Sequence, residues 1–283
     1  PTDRGFDEFL GCRSGNIDYY THVYNGQEDL YRGTEPVDIA GYSTELFADA
    51  ACEFIRRHCR QPFLTYVPFN AAHVPNHKNK ASGAPTVWQA PAKYFEQYGY
   101  AADSTDPTEG DHAVMAALDA GIGRIVDQID KLGLGEHTIV VMASDNGASI
   151  RENLVLETGT NSPFRGGRTE TYEGGIRTAC IVRWPEQFQA GTICREPVAN
   201  IDLLPMILSA AGLSASGNLK LDGRDPTATL AGKARSPHEY LFFEFRNWNA
   251  VRSGRCKIVR SRSDAAFELY DLMTDWSETS DVA

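Results

Sequence analysis

From Asp111 to Leu132 the apolar residues Val114, Met115, Leu118, Ile122, Ile125, Val126, Ile129 and Leu132 recur every three or four positions. That period predicts an amphipathic helix, and Gly133 supplies the usual stop. A few residues later the apolar run Thr138 to Ala143 breaks off at Ser144-Asp145-Asn146-Gly147. A long helix delivering a buried strand that ends in polar residues restricts the chain to a layered α/β arrangement.

The flanking sequence extends the pattern. A helix is expected from Ser43 or Thr44, carrying Leu46, Phe47, Ala50, Ala51, Phe54 and Ile55 at helical spacing, until Pro62 prevents its continuation. Phe63 to Phe69 then reads as a buried strand delivering Asn70-Ala71-Ala72-His73. Residues 75 to 110, dense in Pro, Lys, Asp and Gly, form an irregular excursion. Thr178 to Trp184 is a further strand, and Asn200-Ile201-Asp202 caps a helix over Leu203 to Ala211. The fold class expected is α/β, a mostly parallel sheet flanked by helices. Tyr240 to Phe245, Ala250 to Ser253, Cys256 to Val259 and Phe267 to Tyr270 should add a small antiparallel sheet, dividing the chain at 1–235 and 236–283. Residues 1 to 42 read as loops and short strands.

Composition enters mainly through charge. The 283 residues carry a formal net charge of −11, which argues against a nucleic-acid surface. An anionic substrate would have to be drawn by a local cluster of Arg, His and metal rather than by the whole-protein field. No apolar run reaches the length of a transmembrane segment. The six cysteines show no CxxC pair. Cys52 and Cys59 lie seven apart on the first helix, roughly 10 Å along its axis and too far to bridge, so the redox compartment stays open.

Four features carry chemistry, each with a plainer reading beside it. Asp145 and Asn146 are hard oxygen donors beyond a strand end, where open α/β sheets bind ligands, yet Asn-Gly is also a common turn. Arg165, Arg168 and Arg177 surround Gly166-Gly167 and Gly174-Gly175. They read either as a mobile loop clamping an anion or as a solvated Gly/Arg turn. His73 reads as a cleft group or as a histidine hydrogen-bonded at a strand end, and His22, in Tyr20-Thr21-His22, poses the same choice.

Taken in order, GFDEFLG, NIDYYTH, YSTELFADAACEFI, PFLTYVPFNAAHVP, MAALDAGIGRIVDQI, IVVMASDNG, SPFRGGRTETYEGGIR, NIDLLPMILSAAG, AVRSGRCKIV and FELYDL run through nearly the whole chain. This succession resembles the sulfatase family, the formylglycine-dependent sulfate ester hydrolases related to alkaline phosphatase. The resemblance implies that Asp145 and Asn146 coordinate a divalent ion, usually Ca²⁺, and that His73 contacts the sulfate and helps the leaving group depart. His22 is placed with the substrate.

Arg168 stands where the family's RGGK-like motif has a sulfate-binding lysine. Guanidinium keeps the charge but cannot readily give up a proton. No Cys or Ser sits in the C/S-x-P-S-R motif that becomes formylglycine. The paired metal-binding aspartates and the GKWHLG-like segment are missing as well. With Pro1 in first position, the chain is expected to be an N-terminally truncated fragment, inactive by itself, whose nucleophile lies upstream and requires a formylglycine-generating enzyme.

The substrate implied is a sulfated carbohydrate or an aryl sulfate, and the location an exported one: periplasmic, extracellular or lysosomal. The alternatives are a phosphomonoesterase or phosphonate hydrolase on the same scaffold, or a non-catalytic relative that binds sulfated glycans. Tyr19, Tyr20 and Trp88 are candidate sugar-stacking surfaces.

Overall fold

The computed structural model describes residues 1–75, 87–150, 158–215 and 219–283. They form two compact units, one built on Pro1–Gly135 and the other on residues 136–150 with Gly159–Ala283.

The first unit opens with five short strands, β1 (Leu10–Cys12), β2 (Val23–Tyr24), β3 (Gln27–Glu28), β4 (Leu30–Arg32) and β5 (Glu35–Pro36). β1, β4 and β5 make an antiparallel sheet, and β2 and β3 a hairpin. Asn25 and Gly26 both have positive φ, 49° and 81°, as the favoured two-residue hairpin turn requires.

Helices α1 (Ser43–His58), α2 (Ala92–Glu96) and α3 (Pro107–Lys131) follow. Asp106 accepts hydrogen bonds from Thr108 N and Glu109 N, and Pro107 occupies the first helical position. α3 therefore starts four residues earlier than the apolar period alone indicates. Its buried face adds small residues to the large ones the period marks. Gly110, Ala113, Val114, Ala116, Ala117, Gly121 and Ile129 are buried, while Met115 is 48% exposed. Small residues let α3 approach α1, with a Cβ added at Gly121 falling 3.5 Å from Ala48 Cβ. At Gly110 a Cβ would lie 2.3 Å from Trp88 Cβ.

Tyr19, Tyr42, Trp88, Tyr94 and Phe95 fill the core beside α3, with Tyr19 stacked on Tyr42 at 5.2 Å. Tyr19 and Trp88 are buried, which removes them as sugar-stacking surfaces; Tyr20 is half-exposed. Part of the excursion, residues 76–86, lies outside the described residues.

Phe63 to Phe69 is extended but has no strand partner among the described residues. Val67 and Phe69 pack on the cluster of Ile17, Leu30 and Phe47, whereas Leu64 and Tyr66 are exposed. The expectation of a fully buried strand is corrected to a one-sided segment with period two, because a continuous apolar run does not reveal whether both faces are covered.

In the second unit β6 (Val140–Ala143) pairs antiparallel with β7 (Cys180–Arg183), in the register Val141↔Val182. Between them the described chain contains only α4 (Glu173–Ile176), a single turn. α5 (Leu203–Ala210) and α6 (Thr227–Leu230) precede a sheet of β8 (Leu241–Phe245), β9 (Trp248–Ser253), β10 (Cys256–Arg260) and β11 (Glu268–Asp271). Its order is β11-β10-β9-β8, antiparallel throughout, with positive-φ Gly254 in the β9–β10 turn. Ala250, Val259, Tyr270 and Leu272 form its core together with Tyr172. No described helix is long and apolar enough to cross a membrane.

Candidate active site

The site residues expected from the sequence fall in both units, and each unit holds its own share rigidly. In the first, the turn at Asp18 organises the aromatic segment. Asp18 Oδ1 accepts from Tyr20 N and Thr21 N, and Oδ2 from Gln89 Nε2 at 2.7 Å. His22 closes this turn by donating its N–H to Asp18 O at 3.0 Å, with φ of 56°. Its ring is buried, and burial pushes its pKa below the ordinary histidine range against the nearby Gly41 backbone and Asp18. His22 is thus a neutral ring inside the turn, with Nε2 enclosed by protein.

His73 is exposed at the end of the extended segment. Its N–H donates to Asn70 O at 2.7 Å, and its carbonyl accepts from Tyr19 Oη at 3.0 Å. Nδ1 lies 2.8 Å from Val74 O. A carbonyl only accepts, so Nδ1 is the ring atom that carries the hydrogen there. Asn70 is itself held by Ser43 Oγ at 3.3 Å, at the first turn of α1.

In the second unit Asp145 is exposed and Asn146 half-buried just beyond β6. Ser144 N donates to Ala179 O, and Ser144 Oγ to Asn146 O at 3.0 Å. Gly147 N donates to Gly175 O, also at 3.0 Å. The expected mobile loop is corrected to a tightly packed frame. A Cβ on Gly147 would sit 1.8 Å from Gly174 O, one on Gly174 2.2 Å from Gly166 O, and one on Gly175 2.1 Å from Glu170 O. These glycines let backbone approach backbone rather than an anion.

Asn161, which the sequence reading passed over, ties the two motifs together. Its Oδ1 accepts from Ala148 N at 2.8 Å, and its Nδ2 donates to Ala148 O and Gly166 O. Arg168 N donates to Ala148 O at 3.0 Å, which brings the exposed Arg168 into the same frame as Asp145 and Asn146.

The three arginines do not form one clamp. Arg165 stacks over Tyr172 at 3.9 Å and donates to Tyr270 Oη at 2.9 Å and Glu278 O at 3.0 Å. Burial would raise the adjacent Glu268 carboxyl, but the Tyr172 and Tyr270 hydroxyls outweigh it and leave the pKa lowered. Arg177 lies 3.6 Å from Glu173 and 4.7 Å from the Phe164 ring. All three carry the same charge and all three are exposed, but Arg165 and Arg177 are engaged by protein aromatics and carboxylates.

The donor chemistry of Asp145 and Asn146 fits a hard divalent ion, two oxygen-bearing side chains at one strand end. Ca²⁺ takes six to eight oxygens, and among the described residues no group of three or more His, Cys, Asp or Glu gathers to complete such a set.

The family described as "Sulfatase" matches residues 1–213, and "N-sulphoglucosamine sulphohydrolase, C-terminal" matches residues 168–283. Mouse steryl-sulfatase is 34% identical over 219 residues, covering 76% of this chain and 32% of that protein. Rat N-acetylgalactosamine-6-sulfatase is 28% identical over 271 residues, covering 91% and 48%. The chain thus spans about a third to a half of these relatives. The crystal structure of Ps i-CgsB in complex with k-i-k-neocarrahexaose superposes with a TM-score of 0.84 at 24% identity, covering 100% of this chain and 63% of that one. This likeness establishes the alkaline-phosphatase-like fold.

Proposed function

Because the chain belongs to the sulfatase family, we propose that the protein carrying it hydrolyses sulfate esters, with a sulfated sugar as the substrate class. The observation supporting this most is the frame that fixes Asp145, Asn146 and Arg168 together through Ala148, Asn161 and Gly175. The sugar reading follows from relatives named for N-acetylgalactosamine-6-sulfate and from a neighbour solved with a neocarrahexaose. Export from the cytoplasm goes with the same kinship.

In this reading Asp145 and Asn146 contribute oxygens to a Ca²⁺ site. A formylglycine, made by a formylglycine-generating enzyme outside this chain, supplies the nucleophile, while the ion supplies charge stabilisation at the sulfate. Arg168 holds a sulfate oxygen by charge-assisted hydrogen bonds and keeps its proton. That leaves His73 as the proton donor to the departing alcohol. The Nδ1–H held on Val74 O orients the ring for that role. His22, buried as it is, would act on the substrate only through the turn it closes.

The test uses the intact protein coexpressed with a formylglycine-generating enzyme and offered paired aryl sulfate and aryl phosphate. Sulfate hydrolysis is expected, lowered about a hundredfold or more by His73→Ala. Preferential phosphate hydrolysis would instead identify a phosphomonoesterase. Arg168→Lys should change the rate, and an unchanged rate removes the proposed effect of guanidinium. The lysine-to-arginine exchange at this position also favours a second reading, a non-catalytic relative that binds sulfated glycans. Turnover of the aryl sulfate would exclude it.

A further inference from the structure

One group of deeply buried charges in the second unit belongs to no step described so far. Lys257 and Glu278 are fully enclosed and Glu173 nearly so. Lys257 Nζ lies 3.0 Å from Glu173 Oε1 and 2.8 Å from Glu278 Oε1. Arg252 approaches the other Glu173 oxygen at 3.4 Å. Glu278 Oε2 accepts the backbone N–H of Glu173 at 2.6 Å. Isolated burial of three charges would be costly, and setting opposite charges against one another is the arrangement that tolerates it. Such buried ion pairs add little net stability over apolar packing, which directs attention to what their geometry fixes.

Two connections lead from this cluster to the site. Glu173 begins the single turn α4, two residues before Gly175, whose carbonyl holds Gly147 N immediately after Asn146. Glu278 also accepts, through its own carbonyl, a hydrogen bond from Arg165, three residues before Arg168. Glu278 has φ of 53°, a conformation that a non-glycine residue holds only where surrounding contacts impose it. Asp275 Oδ2 fixes the segment around it by accepting from Thr279 N and Ser280 N.

We infer that Glu278 and Lys257 are positioning residues, anchoring through Glu173 the turn that fixes Asp145 and Asn146, and through Arg165 the loop that carries Arg168. Glu278 thereby helps set the geometry of a site whose chemical groups lie more than a hundred residues earlier in sequence. The backbone coupling stands by itself; its consequence for an ion rests on the sulfatase reading.

The experiment compares Glu278→Leu with Glu278→Gln, which keeps an acceptor for Glu173 N, in the intact protein. The first readout is amide hydrogen exchange at Gly147, independent of activity and of any metal. Exchange about tenfold or more faster in the leucine variant, with near-normal exchange in the glutamine variant, is expected. The second is Tb³⁺ luminescence, with affinity about tenfold or more weaker in the leucine variant, the size typical of lost support around metal ligands. If Glu278→Leu does not unfold cooperatively in urea, Glu278→Asp replaces it, retracting the carboxylate by one methylene. Unchanged Gly147 exchange in a folded variant overturns the inference. Altered exchange with no Tb³⁺ binding even in the parent protein supports the anchoring and removes the metal reading instead.

Discussion

Replacing Gly147 by alanine tests whether the site is held by close backbone packing. A Cβ there would meet Gly174 O at 1.8 Å, Gly174 C at 2.9 Å and Asn161 Oδ1 at 3.0 Å. The first two atoms belong to backbone and cannot rotate away. Gly147 has no positive φ, so the substitution adds volume without backbone strain of its own. Real Cβ atoms keep at least 3.0 Å from such neighbours, so α4 and the β6 end must part by about 1.2 Å.

That displacement lengthens the Gly147 N to Gly175 O bond, 3.0 Å in the native frame. Overpacking costs about 1–3 kcal/mol, and a weakened hydrogen bond adds about 0.5–1.5 kcal/mol, for a total of about 1.5–4.5 kcal/mol. Urea unfolding should show the midpoint falling by about 1 M with the slope preserved. Gly123→Ala, at a position in α3 with nothing within 4 Å, is the control for the glycine-to-alanine change itself. A Gly147→Ala midpoint within error of the parent would refute the close-packing argument and restore the mobile loop.

Other perturbations follow from the same geometry. Gly123→Ala should stabilise the helix by about 1 kcal/mol in a denaturant titration, whereas Gly110→Ala should destabilise because its Cβ would press on Trp88. Ile55, 1% exposed on the inner face of α1, should cost about 2–5 kcal/mol on truncation to alanine, read as a lowered urea midpoint. His22 is held neutral by burial with a pKa below its ordinary 6.5. The unfolded chain therefore takes up a proton first, and His22's contribution is complete above about pH 6.5 and lost as pH falls toward the lowered folded value. His22→Asn, suited to the φ of 56°, should flatten the fall in urea midpoint between pH 7.5 and 5.5; identical slopes would count against it.

The candidate chemistry was legible wherever it depended on residue type at a chain landmark. Asp145 and Asn146 follow a strand, His73 ends an extended segment, and period and punctuation located α1, α3, α5 and the last four strands to within a few residues. Those signals are local, since the hydrogen-bond period and the stop at Gly133 or Pro62 are written in neighbouring residues.

Partner choice was not local, and there the tertiary structure decided. It engaged the exposed Arg165 and Arg177 with Tyr270 and Glu173, enclosed His22, and turned the glycines of residues 166–175 from assumed flexibility into close backbone contact. It also showed α3 burying an Ala and Gly seam together with Val114 and Ile129. Charge and hydrophobicity belong to a residue, but whether an arginine meets a tyrosine or a substrate depends on segments such as Tyr270 and Glu278, about a hundred positions away. Only the folded chain brings those segments within hydrogen-bonding distance.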